Sequence, residues 1–299
     1  MNILVFGAGA IGSLFGGILS KNNNVVLIGR KKHVEAINKK GLEINGLTEI
    51  NTDVKAFENM ENISFKSDIA IISVKSYDTE NAAKAIKKVI DKNTIIVSLQ
   101  NGLDNIEKIE KHVDKKQILV CITTHGSVFS KPGHIVHTGV GKTTIGTLNG
   151  KKTIALTTVI EEFNASGIKT NYSKDVVRDI WIKAIVNSSI NPLTTIFQCN
   201  NGNLLKNPIL EKSVEKICEE STNIANSENL NLSYNEMIKK TKEVIRETSE
   251  NKSSMLQSFL QGKKTEIDSI NGMLLKIARK NKVKSMLNEV LVNIVSNQQ

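Results

Sequence analysis

Asn2-Ile3-Leu4-Val5-Phe6-Gly7-Ala8-Gly9-Ala10-Ile11-Gly12-Ser13-Leu14-Phe15-Gly16-Gly17-Ile18-Leu19 decides the fold of the first half of the chain. Residues 2–6 are a short apolar run rich in strand formers, which predicts a buried strand. Gly7, Gly9 and Gly12 follow in GxGxxG spacing. The first glycine permits a tight turn, the second lets the backbone approach a pyrophosphate, and the third allows strand and helix to pack closely. The helix expected after them turns free N–H groups and the positive end of its dipole toward phosphate. A GxGxxG run alone is weak and also fits a purely structural glycine turn. Here a strand precedes it, a helix follows it, and a second strand, Asn24-Val25-Val26-Leu27-Ile28, comes at βαβ distance. Gly7, Ala8, Gly9, Ala10, Ile11 and Gly12 are therefore the expected cradle of a dinucleotide.

The end of the second strand bears on which dinucleotide. An NAD site usually has Asp or Glu there to hold the ribose 2′-hydroxyl. This chain has Gly29-Arg30-Lys31-Lys32. A guanidinium in place of the carboxylate suits the 2′-phosphate of NADP(H) through forked hydrogen bonds. The alternative is a plain surface cation. Arginine is scarce in this lysine-rich chain, occurring only at Arg30, Arg178, Arg246 and Arg279, and that scarcity favours the phosphate reading.

The sheet is expected to continue in order. Gly41–Ile44 and Glu49–Asn51, around Asn45-Gly46, predict a hairpin inserted in the wound sheet. Asp68–Val74 reads as a buried parallel strand ending at Lys75, before a helix over 78–90. In doubly wound sheets that strand end faces the ligand crevice, so Lys75 is a candidate cofactor contact. Thr94–Leu99 ends in Gln100-Asn101-Gly102. Asn101 could touch the nicotinamide ribose or the substrate, or be half of an ordinary Asn-Gly turn. Gln117–Thr124 continues the sheet, with shorter strands around 133–138 and 142–147. A helix over about 152–165 and a strand at 168–172 close a first domain of residues 1–170. His125, His134 and His137 lack an accompanying carboxylate or cysteine cluster, so no metal is expected.

From Asp175 onward the pattern is helical, which makes 171–299 a second domain. Trp181-Ile-Lys-Ala-Ile-Val-Asn-Ser-Ser-Ile-Asn-Pro192 puts Lys183, Asn187 and Asn191 at i, i+4 steps on one face. Trp181, Ile182, Ala184, Ile185, Val186 and Ile190 take most of the remaining surface, so the helix is expected to be buried. A buried donor without a partner costs about 1–3 kcal/mol. The polar stripe should therefore line a cleft or meet a ligand, unless it is the solvated side of an ordinary amphipathic helix. Pro192 predicts a kink or helix end at Asn191. Asn201-Gly202 reads first as a turn and second as a ligand contact. Further helices are expected near 208–228, 233–249 and after Asn251, where Ser254 and Gln257 have capping-box spacing. That local role could account for Ser254, although a helix start also binds carboxylates. Thr265-Glu266-Ile267-Asp268 opens the next helix, where Glu266 alone would only complement the helix dipole.

Composition limits the function classes. The chain has 299 residues, 39% hydrophobic and 23% charged, with a net charge of +10 and 4% aromatics. The length suits two domains. Lysines spread along the chain with few aromatics make a poor nucleic-acid footprint. No apolar run approaches the roughly 18 residues of a membrane span, and the N-terminus lacks signal-peptide features. A cytoplasmic protein without nucleic-acid or membrane partners is expected. Cys121, Cys199 and Cys218 lack metal-ligand or CxxC spacing and read as reduced, structural thiols.

Taken together, GAGAIG with Gly29-Arg30, Val74-Lys75, Leu99–Gly102, Lys183/Asn187/Asn191-Pro192-Leu193-Thr194, Asn201-Gly202, Ser253–Gln257 and Thr265–Gly272 closely resemble the 2-dehydropantoate 2-reductase (ketopantoate reductase) family. The resemblance spans both halves, and the late block is its most specific part. It implies an α/β fold, with an N-terminal Rossmann-type doubly wound parallel sheet, an all-helical C-terminal domain and the site between them. It implies NADPH-dependent reduction of 2-dehydropantoate to (R)-pantoate in pantothenate and coenzyme A synthesis. By similarity, Lys183 is the general acid and Glu266 the second catalytic carboxylate, which also lies at the cofactor. Asn187, Asn191, Asn201, Asn251 and Ser254 bind substrate, Asn101 and Lys75 sit near cofactor or substrate, and a homodimer is expected. Burial should lower the pKa of Lys183, and a nearby Glu266 should oppose that shift. Two rivals stand beside this reading: a reductase of another branched 2-oxo acid on the same fold, and a non-catalytic NADP-binding sensor.

Overall fold

The computed structural model describes residues 1–61 and 63–298. Asn62 and Gln299, the latter the last residue of the expected helical domain, lie outside the described residues. The chain forms two compact units, one of residues 1–100 and 105–177, the other of residues 101–104 and 178–299.

The first unit carries β1 (Asn2–Phe6), α1 (Ala10–Leu19), β2 (Asn24–Ile28), α2 (Lys31–Lys40), β3 (Leu42–Gly46), β4 (Ile50–Thr52), β5 (Lys55–Phe57), β6 (Ile69–Ile72), α3 (Thr79–Ile86) and β7 (Ile95–Ser98). After residues 101–104 come α4 (Asn105–Glu110), β8 (Ile118–Thr123), β9 (Gly126–Lys131), β10 (His134–Gly139), β11 (Thr143–Thr147), α5 (Ile154–Ser166) and β12 (Thr170–Tyr172). An eight-stranded sheet runs in the order β12-β11-β8-β7-β6-β1-β2-β5. Every neighbouring pair in it is parallel except β8 with β11. Leu4 of β1 lies opposite Val26 on one side and Ala70 on the other. Those central strands are apolar at successive positions because helices or a second sheet cover both faces.

The expected hairpin forms, with Ile44 opposite Ile50, but it is not inserted in the wound sheet. It belongs to a separate four-stranded sheet, β4-β3-β10-β9. The reason lies in the burial pattern: Leu42 and Ile44 are buried while Glu43 is exposed. Such alternation fits a sheet with only one face covered. That face packs on α1, where a Cβ on Gly17 would come within 2.5 Å of Ile44. On the other side of α1, a Cβ on Gly16 would come within 2.5 Å of Leu27 in the large sheet. Helix α1 carries no charged residue and is buried from Gly12 to Leu19, as a helix held between two sheets requires. Strands β5 and β9 escape sequence reasoning because they are short or polar and lie at sheet edges.

The second unit is helical: most of α6 (Val176–Ile196), then α7 (Asn203–Lys206), α8 (Pro208–Asn226), α9 (Tyr234–Glu247), α10 (Ser254–Leu260), α11 (Met273–Asn281) and α12 (Met286–Asn297). Between α10 and α11, Asp268–Gly272 is a wider π-type turn. The kink or end expected at Asn191 is overturned as an end, since α6 continues through Pro192 to Ile196. Proline removes the N–H that would bond the carbonyl four residues earlier. That carbonyl, on Ser188, receives the Asn271 side-chain N–H instead, at 3.2 Å. No helix among the described residues is long and apolar enough to cross a membrane.

Candidate functional site

In the first unit, the turn after β1 is fixed by Gly7 and Ala8, whose N–H groups donate to the Ile28 carbonyl at 3.0 and 2.7 Å. Gly7 has φ +119°, and a Cβ there would lie 2.5 Å from the Val74 nitrogen. A Cβ on Gly12 would lie 2.1 Å from the Gly7 carbonyl oxygen. Protein contacts alone therefore demand glycine at both positions. Gly9 differs: it is exposed, and the nearest atom to a Cβ there is 4.0 Å away. No described residue crowds Gly9, so the space over it is open to a ligand, and no described side chain caps the first turn of α1. Open backbone N–H groups at a helix start, beside a glycine with free space above it, fit a pyrophosphate. Ala8 is buried, while Ala10 and Ile11 are half-buried.

Arg30 stands at the end of β2 as the extended residue that begins α2. It is exposed. No carboxylate among the described residues pairs with its guanidinium, which leaves the fork open to an anion. Lys75, half-buried, follows β6 in extended conformation. Gln100 is a residue that sequence reasoning left without a role. Its Nε2 donates to the Val74 carbonyl at 2.8 Å and to Thr79 Oγ1 at 2.7 Å. It thus latches the ends of β6 and β7, and holds the main chain on which Lys75 stands. A side-chain amide at a strand end is too common for the sequence to single it out.

In the second unit, Lys183, Asn187 and Asn191 follow one another along α6. Lys183 and Asn187 are half-buried and Asn191 is 5% exposed. Trp181, Ala184, Ile185, Val186, Ile190 and Leu193 around them are buried. Residues 101–104 belong to this unit, so Asn101 is grouped with the helical residues. The Leu103 N–H donates to the Ser269 carbonyl at 3.1 Å, and Ser269 Oγ donates to Asp104 at 3.3 Å. Three residues before Ser269 stands Glu266, 7% exposed. Its carbonyl accepts from the N–H groups of Ser269 and Ile270 and so begins the turn of 268–272.

Asn251 and Asn201 are joined through the main chain, the Asn201 N–H donating to the Asn251 carbonyl at 2.9 Å. The Asn201 amide donates to Thr248 at 2.9 Å, while its Oδ1 is buried with no partner among the described residues. A buried acceptor left open in this way is suited to a ligand hydroxyl. The capping box expected from Ser254 and Gln257 is replaced. Ser253 is the cap, accepting from the Leu256 N–H at 3.1 Å, and Gln257 Nε2 donates to the Lys252 carbonyl. A tertiary contact accounts for the shift: Thr194 Oγ1, one turn beyond Asn191, donates to Ser253 Oγ at 2.8 Å. Ser254 is left exposed in the first turn of α10.

The histidines have structural partners. Gly133 N–H donates to His33 Nδ1 at 2.9 Å, so the ring proton sits on Nε2, 3.0 Å from Ser13 Oγ. Burial lowers the His33 pKa to about 4. His125 and His137 lie 3.1 Å apart through ring nitrogens, and burial lowers both pKa values. Among the described residues no group of three or more His, Cys, Asp or Glu could hold a metal ion. Among the described residues no disulfide joins Cys121, Cys199 or Cys218, and Cys121 and Cys218 are buried.

Fold and site define a Rossmann-type NAD(P)-binding oxidoreductase with a helical second unit. The family described as "Ketopantoate reductase PanE/ApbA" matches residues 3–150, and its C-terminal counterpart matches residues 175–299. The chain belongs to the ketopantoate reductase family. It is 36% identical over 296 residues to the 2-dehydropantoate 2-reductase of Pyrococcus abyssi, covering 99% of this chain and 97% of the relative. The enzyme of the same name from Pyrococcus horikoshii is 37% identical, with 99% and 96% covered. Among solved structures, D-mandelate dehydrogenase with NADH and anilino(oxo)acetate superposes with a TM-score of 0.94 at 29% identity, over 100% of this chain and 98% of the other. A PanE/ApbA family ketopantoate reductase from Ralstonia eutropha JMP134 superposes with a TM-score of 0.91 at 27% identity, with the same coverage.

Proposed function

We propose that this chain reduces the C2 ketone of 2-dehydropantoate to (R)-pantoate at the expense of NADPH. Residues 1–170 hold the cofactor and residues 171–299 the substrate. The observation that supports the reading is that Lys183, Asn187 and Asn191 lie along one helix, in the unit that also contains Glu266, Asn101 and the bonded Asn201–Asn251 pair. When bound, NADPH supplies a hydride from nicotinamide C4 to the ketone carbon. In the first unit Gly7 to Gly12 would hold its pyrophosphate and Arg30 its 2′-phosphate, with Lys75 near cofactor or substrate; in the helical unit Asn101 and Glu266 would be further cofactor contacts.

Negative charge grows on the ketone oxygen as the carbon accepts hydride. The Lys183 ammonium stabilises that charge and passes one proton to the oxygen, leaving a neutral amine that solvent reprotonates. Proton transfer from a positioned acid contributes about 10²–10⁴-fold, and a fixed cation at the oxyanion adds to it. Glu266 favours the charged form of the lysine before the transfer. Asn187, Asn191, Asn201, Asn251 and Ser254 bind the hydroxyl and carboxylate of the substrate without adding charge.

The likeness to an NADH-bound D-mandelate dehydrogenase supports a second reading, in which the chain reduces another 2-oxo acid with NADH. One experiment separates the two: oxidation of NADPH and of NADH measured across a panel of 2-oxo acids. The expected result is the highest kcat/KM with ketopantoate and NADPH. A higher value with the 2-oxo acid corresponding to mandelate would select the second reading. Cofactor binding without turnover of any oxo acid would select a sensor.

A further inference from the structure

Pro192 lies four residues after Ser188 on α6, so it removes the main-chain donor for the Ser188 carbonyl inside the helix that carries Lys183, Asn187 and Asn191. A buried carbonyl without a donor costs about 1–3 kcal/mol. Asn271 supplies the donor from another element. Its side chain is fully buried, and Nδ2 donates to the Ser188 carbonyl at 3.2 Å and to Asn288 Oδ1 at 2.9 Å. Asn288 Nδ2 in turn donates to Glu220 Oε1 at 2.8 Å and to Ser221 Oγ at 3.3 Å. Ser221 Oγ is 3.0 Å from Ser188 Oγ, which closes the circuit on the residue where it began.

The orientation of both amides is fixed by chemistry. A carbonyl and a carboxylate only accept, so Asn271 must turn its NH2 to Ser188 and Asn288 must turn its NH2 to Glu220. Asn271 lies within the π-type turn that begins two residues after Glu266 and that holds the Asn101 loop through Ser269. The circuit therefore fastens the segment bearing Glu266 to the helix bearing the lysine and two of the asparagines.

We propose that Asn271 is a positioning residue, which replaces the N–H missing at Pro192 and so sets the placement of Lys183, Asn187 and Asn191 relative to Glu266. Fully buried and bonded to protein groups, it acts through the Ser188 carbonyl. This inference rests on the reading of Lys183 given above. A misplacement of about 1 Å at reacting groups costs on the order of 100-fold, whereas a purely stabilising amide would leave the turnover of folded protein unchanged.

The test is a rescue. Asn271→Ala, Pro192→Ala and the double variant are compared in the full chain for kcat, KM for ketopantoate, NADPH affinity by fluorescence, and thermal unfolding. Asn271→Ala is expected to lower kcat/KM by about 10- to 100-fold while NADPH affinity stays that of the parent. Adding Pro192→Ala returns a main-chain N–H to the Ser188 carbonyl and is expected to recover most of the loss. Unaltered kcat/KM in Asn271→Ala would overturn the proposal, as would a loss that the double variant does not recover. If Asn271→Ala does not fold, the double variant decides: folded and active supports the role, unfolded or inactive overturns it. Lys183→Ala run alongside separates the two claims. Full turnover there defeats the reading of the site, whereas an inactive Lys183→Ala beside a fully active Asn271→Ala defeats only the positioning role.

Discussion

Lys183 is half-buried on α6 among buried Trp181, Ala184, Ile185 and Val186, and shortening its side chain removes the proposed proton donor. Lys183→Ala is expected to lower kcat by about 10²–10⁴-fold, with NADPH affinity unchanged when measured by fluorescence titration. His33 makes a prediction of a different kind. The Gly133 N–H donating to its Nδ1 requires the neutral form, and burial holds its pKa at about 4 against 6.5 for the free side chain. Between those values the unfolded chain binds a proton that the folded chain does not, so stability is complete above pH 6.5 and falls as the pH drops toward 4. The loss from this residue is roughly 3 kcal/mol over that window, and the lowered pKa values of His125 and His137 act in the same direction. Urea unfolding at a series of pH values is expected to show this slope, and His33→Gln to flatten it. Lys183 stood out in the sequence, whereas His33 did not, because the Gly133 and Ser13 contacts that keep it neutral lie 100 and 20 positions away.

At the level of elements, α10 begins with two adjacent serines in different settings: Ser253 caps the helix, and Ser254, proposed above to bind substrate, is exposed. Ser253 Oγ accepts from the Leu256 N–H and from Thr194, while the Ser254 side chain is left exposed. Ser253→Ala is expected to destabilise the protein by about 1 kcal/mol, read as a lower midpoint in chemical unfolding. Ser254→Ala is expected to leave that midpoint unchanged and to raise KM for ketopantoate; the opposite pattern would reverse the assignments. Spacing alone favoured Ser254 with Gln257, because a capping box is a local pattern. Thr194, 59 residues away, decides between the two hydroxyls. The same holds for Pro192, whose local preference predicts a break and whose effect is offset by an amide from a distant turn.

For the molecule as a whole, ligand binding should register as stability. A ligand at 100 times its Kd adds about 2.7 kcal/mol to the folded state. Thermal unfolding is therefore expected to shift upward with NADPH, and less with equal NADH. Arg30→Ala should abolish the difference between the two cofactors, and equal shifts in the parent protein would withdraw the 2′-phosphate assignment. The doubly wound sheet, the glycine turn and the helical character of the second half were legible in the chain, since each rests on periodicity or on a steric demand within a few residues. Gly7 and Gly12 illustrate this, because the turn itself forbids a side chain at either. By itself, then, the sequence determined the element types, the dinucleotide turn and the polar stripe of α6, all set by contacts near in the chain. Only the tertiary structure decided that the hairpin of β3 and β4 joins a second sheet over α1, that residues 101–104 go with the helical unit, and that Asn271 completes the helix at Pro192. Those outcomes depend on which distant groups meet once apolar faces are buried, and a buried donor or acceptor then takes whatever partner the packing brings within reach.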